Sequence, residues 1–213
     1  MDEEPLLGGV ANAGAVVRVG DHVLRPTTVH TASIHRLLHG LRKAGFDASP
    51  RPLGIDPDGR ERLQYIEGEV PTPPYPAWVQ TDGALASIAA LLSRFHAAAG
   101  SLELDEATWS SEMADPEGGS TVVHNDVCLE NVVFRDGEAV ALLDFDFCAP
   151  GRPTYDLARC LRMCVPIDDD LNASRLGWHS PDRPRRLRLA ADAYGLDADG
   201  RSALLVTLSL IHI

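Results

Sequence analysis

The sequence predicts an α+β fold in two unequal parts, and three observations carry the prediction. Short apolar runs bounded by turn residues crowd roughly the first 67 residues. Apolar residues at helical spacing dominate the remainder. Between them lies PTPPYP at 71–76, which suits neither a helix interior nor a central strand. With 213 residues, 45% of them hydrophobic, the chain can bury a real core.

In chain order, AVVRV, the turn Gly20-Asp21 and HVLR read as two strands, ended by Pro26. A small-residue loop, Gly8-Gly9-Val10-Ala11-Asn12-Ala13, precedes them. Over 29–46, Ile34, Leu37, Leu38 and Leu41 recur at helical spacing, and Gly45 supplies the stop. RPLGI and RLQYI follow as two more strands across Asp56-Pro57-Asp58-Gly59. Past the proline stretch, Leu85, Ile88, Leu92 and Phe95 share one face of a helix over 82–99. Residues 155–164 and 185–194 read as helices, with Pro184 suited to a helix start. One hairpin interrupts the helices within TVVHNDVCLENVVFRDGEAVALLDFDFCAPG at 121–151, where VVF and AVALL flank Asp136-Gly137. The closing SALLVTLSLIHI lacks a helix-ending signal, so we expect either a truncated end or a short docked final helix.

Composition narrows the function classes. A net charge of −12 argues against a nucleic-acid partner and is compatible with a cationic ligand, although ordinary solubility explains it more simply. Lys43 is the one lysine, and no Gly-Lys-Ser/Thr phosphate loop occurs. Cys128, Cys148, Cys160 and Cys164 form no Cys-x-x-Cys pair; Cys160 and Cys164, four apart on one helix face, lack further metal ligands and read as buried core thiols. The start, MDEEPLLGG, has no signal-peptide core, and no apolar run reaches the roughly 18 to 20 residues that span a bilayer. The expected location is the cytoplasm.

The hairpin holds the chemistry. A two-residue turn at Asp136-Gly137 sets Arg135 opposite Glu138, Asn131 opposite Leu142 and Asp144 opposite Leu129. Asn131 and Asp144 then meet at the open end, offering an amide oxygen and a carboxylate. Hard Mg²⁺ takes a few such oxygens and fills its other positions with water and phosphate. Asp126, five residues before Asn131, can aim a second carboxylate at whatever the metal holds.

HNDVCLEN followed by LLDFD resembles the catalytic loop and metal-binding strand of the protein-kinase-like fold, in the variant of the aminoglycoside phosphotransferase and choline kinase families. YDLA at 155–158 is similar to their next helix. The small loop before AVVRV resembles their phosphate-covering loop, and YIEG at 65–68 their interlobe hinge. The likeness runs from about Leu6 to about residue 195. It implies a nucleotide-binding lobe over 1–67 and a catalytic and substrate lobe over 68–213. It also implies Mg²⁺, ATP or GTP, and transfer of the γ-phosphoryl group to a hydroxyl of a small, cationic, aminoglycoside-like molecule or another amino alcohol. Residue by residue, Asp126 resembles the acceptor-orienting carboxylate, Asn131 and Asp144 the metal ligands, and His124 and Asp156 the supports of the loop. Gly8, Gly9, Asn12, Arg25, Tyr65 and Ile66 fall at nucleotide-binding positions.

The departures from the family pattern carry their own expectations. Arg25 stands where these families use lysine, and its planar fork suits phosphate oxygens. The helix glutamate that pairs with that lysine is missing; His35, with no acid nearby in sequence, lies at roughly its place. Asp146 either tunes the metal or bonds nearby backbone, and the second is expected. His96 reads as a buried, hydrogen-bonded histidine, Asp168-Asp169-Asp170 as a solvated loop or helix cap, and Glu130 as a solvated residue or a contact to a cationic substrate. Two rival readings stand beside the enzyme: a nucleotide-binding module with little turnover, and a choline- or homoserine-type metabolic kinase.

Overall fold

Gly20, with φ of 63°, lets the chain reverse between β2 (Val17–Val19) and β3 (His22–Pro26), which pair antiparallel with Val19 opposite His22. The computed structural model describes residues 3–6, 15–104, 106–167, 170–179 and 182–211. A short β1 (Glu4–Pro5), absent from the sequence expectation, pairs with β2. β4 (Pro52–Ile55) and β5 (Arg60–Gln64) are the expected second hairpin. β5 docks on β3, giving the order β1-β2-β3-β5-β4. α1 (Thr31–Lys43) buries Ile34, Leu37, Leu38 and Leu41, and Gly45 ends it at φ of 87°.

The link out of this sheet is held on both sides. Tyr65 N–H donates to Asp21 O at 2.9 Å, and Glu69 exchanges two 2.8 Å backbone hydrogen bonds with Phe134. Gly68 sits between them. A Cβ there would lie 2.4 Å from Val133 Cγ1 and 2.6 Å from Phe134 O, so only glycine lets the link press this closely on the hairpin.

α2 (Asp82–Ala99) starts where Thr81 Oγ1 accepts from Ala84 N–H at 3.2 Å. It buries Leu85, Ile88, Leu92 and Phe95. Phe95 is the hub of the core, with ring centroids 5.8 Å from Phe46, 6.0 Å from Phe145 and 6.3 Å from His124. β6 (Thr121–Val123) pairs antiparallel with β9 (Ala149–Gly151), an extra ladder beside the expected hairpin of β7 (Val132–Arg135) and β8 (Glu138–Leu142). α3 (Pro153–Cys164), α4 (Asp170–Arg175), α5 (Arg183–Tyr194) and α6 (Ala198–Ile211) complete the fold. α6 packs on α3 and buries Leu204, Thr207 and Leu208 of the closing apolar stretch, while Leu205, Val206 and Leu210 are exposed. The four cysteines are free, with Cys160 and Cys164 Sγ atoms 4.0 Å apart in the core. Among the described residues, no helix is long and apolar enough to cross a membrane.

Candidate active site

The hairpin register differs from expectation at the end that matters. Arg135 does oppose Glu138, but the ladder shifts between Phe134–Ala139 and Val133–Ala141, leaving Val140 bulged. Val132 therefore opposes Leu142, and Leu143 N–H donates to Asn131 O at 2.8 Å. Asn131 is thus bonded to the residue just before Asp144. Both line one cleft, a cavity of about 260 Å³ between the five-stranded sheet and the hairpin. Val23 and Leu63 form its upper wall, Val133 and Leu143 its lower wall, and Tyr65 and Ile66 line it from the link. Arg25, Gln64, Glu130, Asn131 and Asp144 supply the polar side chains. An apolar cavity with a few polar side chains is the usual make-up of a small-molecule site. Gly8, Gly9 and Asn12 lie outside the described residues, as do Asp168 and Asp169; Asp170 begins α4 and bonds Arg183.

Arg25 is buried at 7% exposure and grips three carboxylates. Its Nε donates to Glu61, Nη1 to Asp144 Oδ1 at 3.0 Å and Nη2 to Asp146 Oδ1 at 2.6 Å. Asp146 therefore bonds the guanidinium, not nearby backbone, because the turn after Asp144 aims its side chain at Arg25. Burial alone would lower the Arg25 pKa, but Asp146, Glu61 and Asp144 more than offset it and hold the charge firmly.

Glu61 is the residue that sequence reasoning missed. It is fully buried directly across from Arg25 in the β3–β5 ladder. Its second oxygen takes a 2.8 Å hydrogen bond from His35 Nε2. His35 thus has an acidic neighbour after all, supplied by a strand rather than by its own helix. The available signal was the period of two in RERLQ, which puts Glu61 on the inward face with Leu63. Burial pushes the Glu61 pKa up, but the bonds from His35 and Arg25 win and hold it below the usual carboxylate range. Glu61→Gln keeps the shape and removes the charge. Hydrogen bonds to charged groups contribute about 1.5–3 kcal/mol, so the urea midpoint should fall by that equivalent with an unchanged slope. A midpoint matching the parent would mean that the Arg25–Glu61–His35 chain adds nothing to stability.

The loop bearing Asp126 is pinned from beneath. Asp156, fully buried on α3, accepts from the backbone N–H of His124 at 2.7 Å and of Asn125 at 2.8 Å. His96 Nε2 donates to Asp156 Oδ2 at 2.9 Å, and His96 Nδ1 meets the Tyr194 hydroxyl at 2.7 Å. The expected buried histidine is present, and it orients the aspartate. Burial would raise the Asp156 pKa, but the His96 hydrogen bond, the two histidines and the backbone donor hold it low. His124 Nε2 donates to Leu143 O at 2.9 Å, and its Nδ1 accepts from Asp126 N–H at 3.3 Å, tying the loop to the strand. Asn125 adopts φ of 67° as the loop turns.

Asp126 itself receives Asn131 Nδ2 at 2.9 Å on its Oδ2. That bond fixes the Asn131 amide, and no described residue donates to its Oδ1. Asn131 Oδ1 and the Asp144 oxygen not held by Arg25 form a hard oxygen donor set that fits Mg²⁺. Burial is the main reason the Asp126 pKa is raised; Asp144 adds to it, while His124, Arg159 and Asn131 oppose it. Asp126 lines an adjoining cavity rather than the cleft between the sheet and the hairpin. Glu130 lines the cleft, half-buried beside Tyr75, with Oε2 buried and unpartnered.

A sequence model of the phosphotransferase enzyme family matches residues 100–190. The trifolitoxin immunity protein of Rhizobium leguminosarum bv. trifolii is 31% identical over 96% of this chain and 78% of its own length. A homoserine kinase of Chelativorans sp. is 29% identical over 81% of this chain, which spans about half (49%) of that relative. An aminoglycoside phosphotransferase from Streptomyces rimosus, solved with ADP and streptomycin, superposes with a TM-score of 0.59 at 17% identity, covering 97% of this chain and 91% of that one. A choline/ethanolamine kinase family protein from Mesorhizobium loti gives 0.55 at 20% identity, covering 99% and 86%. These two likenesses show the fold.

Proposed function

The chain belongs to the phosphotransferase enzyme family, and on that premise we propose that it moves the γ-phosphoryl group of ATP or GTP to a hydroxyl of a small molecule in the cytoplasm. The observation that carries this reading is the position of Asp126. Its carboxylate is tied to Asn131 at the polar end of the cleft and faces a second cavity, where an acceptor hydroxyl would sit. In the reaction the acceptor oxygen bonds to the γ-phosphorus, the bond from that phosphorus to the bridging oxygen breaks, and the nucleoside diphosphate leaves. The hydroxyl proton passes to Asp126.

The remaining roles follow from place. Tyr65 and Ile66 flank the base, and Arg25 lies at the phosphate end. Gly8, Gly9 and Asn12 cover the phosphates by family resemblance. Asn131 and Asp144 would hold Mg²⁺, which when bound neutralises phosphate charge. His124 and Asp156 keep the loop in place. We assign 1–67 to nucleotide binding and 68–213 to catalysis and acceptor binding. A nucleotide-binding module without turnover is the second reading, favoured by the way three carboxylates already occupy Arg25.

The test measures Mg-ATP and Mg-GTP binding alongside phosphate transfer to a broad panel of hydroxylated acceptors. We expect binding with transfer. Tight nucleotide binding with no transfer to any acceptor would select the module.

A further inference from the structure

A cavity of about 210 Å³ adjoins Asp126, smaller than the roughly 300–1,000 Å³ of sites for drug-sized ligands. Val127, Met113, Met163 and Ile211 give it apolar walls. Its charged groups are Asp126, assigned above to the proton, and two arginines, Arg159 and Arg162. The arginines are three residues apart on α3 and so share a helix face. Arg159 is half-buried; its Nε donates to Asn125 O at 2.7 Å and one terminal nitrogen touches Met113 Sδ at 3.1 Å. Those contacts hold the guanidinium beside the loop and leave Nη1 without a partner among the described residues. Arg162 is exposed, and its side chain makes no hydrogen bond or ion pair with any described residue, although it lines the same cavity.

From this geometry we propose that the acceptor is a hydroxyl-bearing anion, a short aliphatic alcohol carrying a carboxylate, and that Arg159 and Arg162 select it. The inference rests on the phosphotransfer reading and narrows its acceptor. A guanidinium matches a carboxylate with paired parallel hydrogen bonds, and two arginines with no ion pair among the described residues repel an ammonium group placed between them. The chain's net charge of −12 points the other way, but that charge is spread over the surface and screened beyond about 8–10 Å. The groups lining the cavity decide what binds there. The apolar walls take the methylene stem, the arginines take the carboxylate, and the hydroxyl is left facing Asp126.

The test pairs acceptors of equal length and opposite charge: γ-hydroxybutyrate against 4-aminobutanol, and 3-hydroxypropionate against 3-aminopropanol. We expect kcat/KM to favour the carboxylate member of each pair at least tenfold. Arg162→Ala should remove roughly ten- to hundredfold of kcat/KM for the carboxylates. Arg162→Glu should turn the preference toward the amines, with the KM for nucleotide unchanged in both variants. Because the Arg162 side chain bonds nothing among the described residues, both variants should fold as the parent does. Equal or better use of the amines, or a ratio unmoved by Arg162→Glu, overturns the proposal while leaving phosphotransfer intact. Should the parent transfer phosphate to none of the four, the phosphotransfer reading is the one in trouble, and calorimetry of γ-hydroxybutyrate against aminobutanol on the Mg-ADP complex tests the anion site directly. Carboxylate binding weakened by Arg162→Glu supports it; binding of neither compound, or of the amine alone, overturns it.

Discussion

Asp126→Asn binds Mg-nucleotide with near-parental affinity and loses transfer by about 10² to 10⁴-fold, the usual contribution of a positioned general base. The substitution keeps the shape of the side chain and removes its charge and its capacity to take a proton. The loop stays in place, because its anchors are the His124 and Asn125 amides on Asp156 and the His124 ring on Leu143 O. Arg25, Asn131 and Asp144 line the neighbouring cleft, so the nucleotide keeps its contacts. In the parent, burial raises the Asp126 pKa, so the acid limb of the pH–rate profile should lie above the ordinary aspartate range, and the variant should lack that limb. Single-turnover transfer with a nucleotide titration separates the two effects. Near-parental turnover in the variant would remove Asp126 from its role, whereas a loss confined to nucleotide affinity would place it among the phosphate ligands.

Asp156→Ala is the second large effect, this time on stability. It strands the two backbone donors and the His96 ring that Asp156 satisfies, all in a site without solvent. Leaving buried donors unsatisfied costs about 1–3 kcal/mol each, together a large share of the roughly 5–15 kcal/mol that stabilises an ordinary domain. Chemical denaturation should show a fall of that size. The pH dependence follows from the same group. The folded-state pKa of Asp156 is depressed, as is that of Glu61. Each therefore adds stability that is complete above the unfolded carboxylate value of about 4 and is lost as the pH falls through the lower folded value. The parent should lose stability steeply below about pH 4, and Asp156→Ala should lose less over that interval. Parallel acid-unfolding curves for the two proteins would refute the assignment.

The elements were legible because their signals are local. Gly20-Asp21, Asp56 to Gly59 and Asp136-Gly137 carry turn chemistry in consecutive residues, and Ile34 to Leu41 and Leu85 to Phe95 carry the helical period. That Asn131 and Asp144 share a cleft was legible because one hairpin brings them together, whereas Asp126 lines the adjoining cavity. What failed required knowledge of which strands are neighbours. Glu61 meets Arg25 only after β5 docks beside β3, 36 residues apart in the chain, and nothing in RPLGI or RLQYI fixes that choice. The Val140 bulge failed for a related reason. A uniform ladder is the simplest register, and the extra residue is set by how the hairpin meets the link at Glu69 and the backbone at Ala48, which accepts from Leu142 N–H. The charge around Arg159 and Arg162 was hidden by the net charge of the whole chain.

The hydrogen-bonded line from Tyr194 through His96 and Asp156 to the amides before Asp126 passes through the end of α5, then α2, then α3, before it reaches the loop. In mechanical terms the reacting carboxylate is braced against a helix end far along the chain. A bump or a void at Tyr194 is therefore transmitted as a tilt of His96, a displaced Asp156 and a misaimed Asp126. Since near-attack alignment tolerates displacements of only about 1 Å, a substitution at Tyr194, remote from both cavities, has the leverage to act as a turnover mutation while leaving nucleotide binding untouched.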